Sequence, residues 1–120
     1  MQINNISSQN FNGVGYRYHD VVNNYYKFRL REEGKRACAK MAEIIKKQEK
    51  NPYHIVLDYM AIGNSIKNFI LVNGKEFEKK PYESFINFVR RSAKYADSLN
   101  AKGIEKPLYV DGFKNFKFEE

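Results

Sequence analysis

The stretch that decides the fold is residues 53–80, YHIVLDYMAIGNSIKNFILVNGKEFEKK. Residues 53–60 alternate between apolar and other side chains, which is typical of a strand. The loop Gly63-Asn64-Ser65 separates this run from residues 66–72, which are rich in β-branched and aromatic residues. The pattern therefore predicts two neighbouring strands joined by a short connection.

A third strand follows from the turn signal next to the second. Asn73-Gly74 tolerates the positive φ angles of a two-residue hairpin turn better than almost any other pair. Residues 75–80 are then the partner strand, and the turn places Phe77 opposite Ile70 on one face. The three strands are predicted to form an antiparallel meander.

A helix is predicted on each side of the meander. Residues 35–50 and residues 81–102 both carry apolar side chains at helical spacing on one side and charged side chains on the other. Asn51-Pro52 ends the first helix, because the residue before proline avoids the helical region. Pro81 suits the first position of the second helix, and Gly103 suits its C-terminal stop.

The N-terminal third of the chain allows two interpretations. Residues 16–22 and 25–30 flank Asn23-Asn24, which predicts a β-hairpin. The alternative extends the first helix back to Asp20. Its apolar stripe would then include Val22, Tyr26 and Leu30.

The predicted fold class is an α+β two-layer domain with a helix, three-stranded antiparallel meander and helix as its core, and a short β extension at each end. Residues 1–13 are polar and are predicted to be disordered or loosely attached. Residues 14–120 are predicted to form one domain. At its C-terminal end, residues 108–110 are predicted to be a short strand, followed by an Asp111-Gly112 turn and residues 113–118. This tail either closes as a hairpin or packs as an irregular arm.

Composition indicates the cellular compartment that we expect for the protein. The chain has 120 residues, 42% of them hydrophobic, and no apolar run long enough to span a bilayer. The N-terminus lacks the basic start and apolar block of a secretory signal. Cys38 is the only cysteine, so it is predicted to be a small buried side chain in a reducing compartment. We expect a cytoplasmic protein with no membrane partner; a secreted effector is the less favoured alternative.

The charge is the one unusual property of the composition. There are 21 basic and 14 acidic residues, a net charge of +7, and nine basic against four acidic residues fall within residues 27–50. Because 15 of the basic residues are Lys, part of the excess reflects composition. Lys79 and Lys80 are expected where the second helix begins, at backbone amides that favour an anion. The candidate anion- or nucleic-acid-binding residues are Lys79, Lys80, Arg90, Arg91, Lys94, Lys46 and Lys47.

No arrangement of residues predicts catalysis, a metal site or a cofactor. His19 and His54 are the only histidines. His54 and Asp58 share a face of their strand but lie about 13 Å apart along it, too far for a hydrogen bond. The histidines, the single cysteine and the carboxylates show no ligand spacing. The chain is therefore expected not to be an enzyme.

The order of helix, three strands and helix over residues 35–102 resembles the double-stranded-RNA-binding domain. In that family a His in the loop between the first two strands enters the minor groove, and a Lys cluster that opens the last helix holds phosphates. Here the corresponding loop, residues 62–65, has no His. Lys79 and Lys80 stand at the place of the cluster, and Pro81 follows them. The resemblance lies in the topology.

Three functional hypotheses follow. The first is a small non-enzymatic protein that binds a protein partner or itself, such as a phage- or effector-like accessory protein. The second is an RNA- or DNA-binding module that uses the basic helix surface. The third, the least favoured, is a small metal-independent nuclease that uses His19 or His54.

Overall fold

The computed structural model describes residues 12–118, and a mixed five-stranded sheet forms its centre. In chain order the elements are β1 (Val14–Arg17), α1 (Asp20–Glu32), α2 (Lys35–Gln48), β2 (Ile55–Ile62), β3 (Ser65–Val72), β4 (Lys75–Glu78), α3 (Phe85–Lys102) and β5 (Phe113–Asn115). The strand order is β4-β3-β2-β1-β5; β1 and β2 are parallel and all other neighbours antiparallel. Helices α1 and α3 pack on one face, and α2 packs against both helices. The predicted α+β two-layer class is confirmed.

The meander is formed by β2, β3 and β4 in the predicted register. Val72 pairs with Lys75, and Ile70 pairs with Phe77. Both residues of Asn73-Gly74 have positive φ, 49° and 88°, as a two-residue hairpin turn requires. The turn chemistry and the apolar pattern therefore specify the same pairing.

The N-terminal hairpin predicted over residues 16–30 is wrong. Strand β1 ends at Arg17, Tyr18 adopts a positive φ of 63°, and α1 begins at Asp20. The alternative prediction is right that a helix begins at Asp20, but this helix ends at Glu32 and is not an extension of the next one. Its buried side carries Val22, Tyr26 and Leu30. The four-residue spacing of these side chains lets one helix face cover the sheet. Gly34, at φ 103°, then separates α1 from α2, so the two are distinct helices.

Both ends of the domain join the sheet: β1 pairs with β2, and β5 pairs with β1. The backbone N–H of Ile55 donates to the carbonyl of Gly13 at 2.9 Å, and that of Phe116 donates to Val14 at 2.9 Å. The predicted disorder of residues 1–13 falls almost entirely outside the described residues, and Gly13 itself is buried. The N-terminal extension is thus an inner strand of the sheet, and the C-terminal extension is its edge strand.

The C-terminal segment before β5 differs from the prediction. Residues 108–110 are not a strand; they belong to an irregular segment, residues 104–112, that we call the strap. Strand β5 lies within residues 113–118 and pairs with β1, so the tail does not close as a hairpin on residues 108–110.

The helix ends also differ from the predicted ones. Helix α2 ends at Gln48, two residues early, and α3 begins at Phe85, four residues later than predicted. The hydroxyl of Ser84 accepts a hydrogen bond from the N–H of Asn87 at 3.2 Å, and this cap sets the start of α3. The predicted stop is confirmed: Gly103 has a φ of 64° and caps the last turn.

The core lies between the helices and one face of the sheet. Its fully buried members include Tyr26, Leu30, Ile55, Leu57, Ile70, Val72, Phe88 and Val89. The hydroxyl of Tyr26 donates to the carbonyl of Asp58 at 2.8 Å, so the largest core side chain leaves no polar atom unpaired. Cys38, predicted to be buried, is half-buried.

Candidate functional site

Arg91 is held by two oxygens of one carboxylate. Its Nε and one terminal nitrogen lie 2.9 Å from the two oxygens of Glu83, and that terminal nitrogen also donates to the carbonyl of Glu78 at 2.9 Å. The hydrogen bond lowers the pKa of Glu83 and raises that of Arg91. Arg91 thus ties the segment before α3 to the helix, and its charge is already balanced.

Lys79 and Lys80 do not lie at the N-terminus of α3 as predicted. The amides there are occupied by the protein's own anion: the Glu33 carboxylate accepts from the N–H of Phe85 at 2.6 Å and from that of Ile86 at 3.1 Å. The ammonium of Lys79 lies 5.0 Å from the centroid of the Phe85 ring. The expected phosphate site at this helix end is therefore filled by Glu33.

Lys46 and Lys47 lie in the last turn of α2, as predicted. The ammonium of Lys47 lies 3.3 Å from Asp97 of α3, and the buried amide of Gln48 donates to the same carboxylate at 2.9 Å. Lys46 is exposed. Lys47 therefore belongs to a contact between α2 and α3.

The contacts at both ends show that α2 and α3 run side by side in the same direction. Glu33, just before α2, caps the start of α3, and Gln48 at the end of α2 reaches Asp97 well along α3. A groove therefore opens between the first turns of the two helices. It encloses about 450 Å³ and is lined by Glu33, Arg36, Ala37, Lys40, Ser84, Ile86, Asn87 and Arg90.

Four cations surround this groove or extend its rim. Arg36 and Lys40 lie one turn apart on α2, and Arg90 and Lys94 lie one turn apart on α3, where i and i+4 share a face. All four are exposed, and within residues 12–118 no carboxylate lies at ion-pair distance from any of them. Glu43 and Asp97 follow one turn further along each face. The positive charge is thus concentrated where the helices begin.

The structure places the predicted anion-binding residues in different surroundings. Arg90 and Lys94 share a surface, Arg91 and Lys47 are ion-paired, and Lys79 and Lys80 lie in the segment before α3. Sequence analysis missed Arg36 and Lys40. Their four-residue spacing was visible, but their importance depends on α2 lying parallel to α3.

Gly15 and His54 lie in or next to the sheet, and His19 directly precedes α1. Gly15 of β1 lies beneath the Phe113 ring, and any side chain at Gly15 would overlap that ring. Within the described part of the chain, neither His19 nor His54 hydrogen-bonds to a carboxylate, and no group of three or more metal-ligating side chains occurs. No helix of residues 12–118 is long and apolar enough to cross a membrane.

Comparison of the chain with protein-family models, with curated proteins and with solved structures finds no match.

Proposed function

We propose that this chain is a small non-enzymatic binding protein that holds an acidic, amphipathic helical segment of a partner protein in the groove between α2 and α3. One observation carries the proposal: Arg36, Lys40, Arg90 and Lys94 line or extend the groove with no carboxylate at ion-pair distance among the described residues. A cytoplasmic site of action is part of the proposal and is supported by the single cysteine.

The floor of the groove favours a protein segment over a nucleic acid. Ala37 and Ile86 are apolar, and none of the lining residues is aromatic. Single-stranded nucleic acids are commonly bound through cations together with aromatic side chains on which the bases stack. An amphipathic helix instead places apolar side chains on a groove floor and acidic ones against its basic rim.

Only part of the positive charge outside the groove is balanced. Ion pairs balance Arg17, Arg29, Lys47, Lys67, Arg91 and Lys114, whereas exposed lysines such as Lys46, Lys50 and Lys80 have no ion pair among the described residues. What distinguishes the groove is that its unpaired cations lie together around an apolar floor. Such exposed charges mainly raise the rate of association and fix orientation, so the interaction should weaken with salt.

The test uses a fluorescein-labelled synthetic helix of about 18 residues, with Leu on one face and Glu on the other. Binding is followed by fluorescence anisotropy. Reversing two charges at the groove, Arg36→Glu with Lys40→Glu, should weaken binding about tenfold or more, because both rim charges would then repel the peptide. The matched control, Lys50→Glu with Lys117→Glu, makes the same change in net charge at exposed positions outside the groove lining.

Equal weakening by both double variants would contradict the groove as the binding site, since net charge alone would then explain the effect. A scrambled peptide of identical composition should bind several times more weakly than the amphipathic one. Single- and double-stranded RNA are run beside the peptides. Tighter RNA binding with a steep salt dependence would favour the nucleic-acid hypothesis instead.

A further inference from the structure

The outer halves of β2 and β3 project beyond the rest of the sheet. Strand β1 pairs with β2 only as far as Leu57, and β4 pairs with β3 only from Phe69 onward. Residues 59–67 therefore form a two-stranded ribbon with no third strand beside it among residues 12–118. Both long sides of this ribbon are open edges, in addition to the edge strands β4 and β5.

The ribbon lacks the charges that the edge strands carry. Three of the four residues of β4 are charged, and Lys114 lies in the middle of β5. Charged side chains on an edge keep strands of other molecules from pairing with it. Residues 59–66, YMAIGNSI, contain no charge, and Met60, Ile62 and Ile66 are each about half exposed. An uncharged, apolar and unpaired edge is typical of a place where another strand is added.

The β2 side of the ribbon is the more accessible of its two sides. After β1 ends, Tyr18 adopts a φ of 63° and the chain turns into α1, so β1 does not continue along β2. On the β3 side, the ammonium of Lys67 lies 2.9 Å from the carboxylate of Glu76 on β4. This ion pair places charge beside the β3 edge, and an incoming strand is therefore expected along β2.

The free backbone groups of the β2 edge are centred on Ala61. The N–H of Ile55 points toward β1, where it donates to Gly13, and the direction of these groups alternates along a strand. The N–H and C=O of Ala61 therefore point outward, away from β3. The N–H of Tyr59 points the same way but already donates to the Asp58 carboxylate at 2.8 Å.

We propose that two copies of this chain associate along this edge, with their β2 strands antiparallel about a two-fold axis at Ala61. Each Ala61 then donates to and accepts from the Ala61 of the other copy, and the bond from Tyr59 to Asp58 is kept. Met60 of each copy faces Ile62 of the other, which gives two apolar cross-strand pairs.

Two properties favour a second copy as the occupant. The edge is its own complement, because apolar side chains flank Ala61 on both sides, as a two-fold axis requires. Each copy also has a net charge of +7, so most surfaces of two copies repel each other. The uncharged ribbon is a place where they meet with little repulsion.

The experiment measures self-association of the full chain by sedimentation equilibrium, from about 20 µM to about 1 mM protein. Because the interface is short, the dissociation constant should lie between about 10 and 500 µM. Raising the salt from about 50 to about 500 mM should leave the association unchanged or strengthen it, since salt screens the repulsion between the copies. Binding of an acidic peptide in the groove should show the opposite dependence.

A matched pair of variants tests the position of the interface. Ile62→Lys should weaken association about tenfold or more, because it places an ammonium against Met60 of the other copy. Ile104→Lys makes the same change at an exposed position on the strap and should leave the dissociation constant within about twofold of wild type. Amide spectra confirm that both variants are folded.

A proline tests the backbone pairing. Ala61→Pro removes the outward N–H and leaves the hydrogen bonds between β2 and β3 in place, so it should weaken association about tenfold in a folded chain. Reversing the groove charges with Arg36→Glu and Lys40→Glu should not weaken association, which separates this edge from the proposed partner groove.

Cysteine cross-linking tests the register, in a Cys38→Ala background that removes the chain's own thiol. About an axis at Ala61, residues 60 and 62 of the two copies form a pair without mutual hydrogen bonds, with Cα atoms about 4.5 Å apart. With copper phenanthroline as oxidant, a mixture of Met60→Cys and Ile62→Cys chains should therefore form disulfide-linked dimers several times faster than either chain alone.

Three results would overturn the proposal. A chain that stays monomeric at about 1 mM would leave the edge to a strand of a different protein. Equal weakening by Ile62→Lys and Ile104→Lys would place the contact between copies elsewhere. Faster cross-linking by Met60→Cys alone than by the mixture would contradict an axis at Ala61.

Discussion

The two faces of the sheet are covered in different ways. On the helix side, Ile55, Leu57 and Ile70 are fully buried beneath α1 and α3. On the other side the cover is the strap, whose residues 104–109 are all exposed and which is tied down by hydrogen bonds. Close-packed apolar layers stabilise a fold and leave no room for a ligand, whereas a hydrogen-bonded strap leaves cavities and free polar atoms. The helix side therefore contributes most of the close packing, whereas the strap side contains the cavities.

The largest expected effect compares one side chain from each face. Phe88→Ala removes a fully buried ring on the helix side and should lower the free energy of unfolding by about 3–5 kcal/mol. Leu108→Ala, on the strap, removes a side chain that is 52% exposed and should cost under about 1 kcal/mol. Urea denaturation measures both. Similar losses would show that the strap belongs to the core.

The next largest effect compares a hydrogen-bonding side chain on the helix side of the sheet with one on the strap side. Glu33→Ala removes the acceptor for two amides of α3 and should cost about 1–2 kcal/mol in global stability. Asn73→Gly keeps a residue suited to positive φ and removes the side chain that binds the strap. It should speed hydrogen exchange at Leu108 and its neighbours with a smaller global loss. Glu43→Gln, on the exposed face of α2, is the control. A global loss for Asn73→Gly as large as that for Glu33→Ala would contradict the comparison.

The smallest effect concerns pH and lies on the strap side. Burial lowers the pKa of folded His54 below the 6.5 of the unfolded chain. Below pH 6.5 the unfolded state therefore binds more protons, so the stabilising contribution is complete above pH 6.5 and is lost as pH falls through the folded pKa. Wild type should lose more stability between pH 8 and pH 5 than His54→Phe, which cannot titrate. Thermal unfolding at several pH values measures this; a constant difference would show that His54 titrates alike in both states.

Local patterns predicted much of the fold because their physics is local. Asn73-Gly74 specifies its own turn through backbone sterics, and the spacing along residues 35–50 and 81–102 identified two helices to within four residues at each end. The hairpin over residues 16–30 failed because aromatic and β-branched residues suit a strand and a buried helix face equally. Tertiary packing of Tyr26 against the sheet decided between them.

The candidate sites were less predictable, because each depends on residues far apart in sequence. Arg90 and Lys94 were named, but their groove exists because α2 runs beside α3. The place expected for a phosphate is filled by Glu33, 52 positions before Phe85. His54 was visible as a lone histidine, and nothing near it in sequence indicates that its Nδ1 would be buried without a hydrogen-bond partner.

By itself, the sequence determined the meander, its register, the two principal helices and the local excess of positive charge. These follow from side-chain periodicity, turn sterics and composition, which act over a few residues. Only the tertiary structure decided that both chain ends join the sheet and which cations remain unpaired. It also decided that the Glu33 carboxylate occupies the amides at the start of α3. The burial of the His54 Nδ1 without a hydrogen-bond partner was likewise decided there. Those properties arise when distant segments come together and exclude water, because desolvation and charge pairing depend on three-dimensional neighbours.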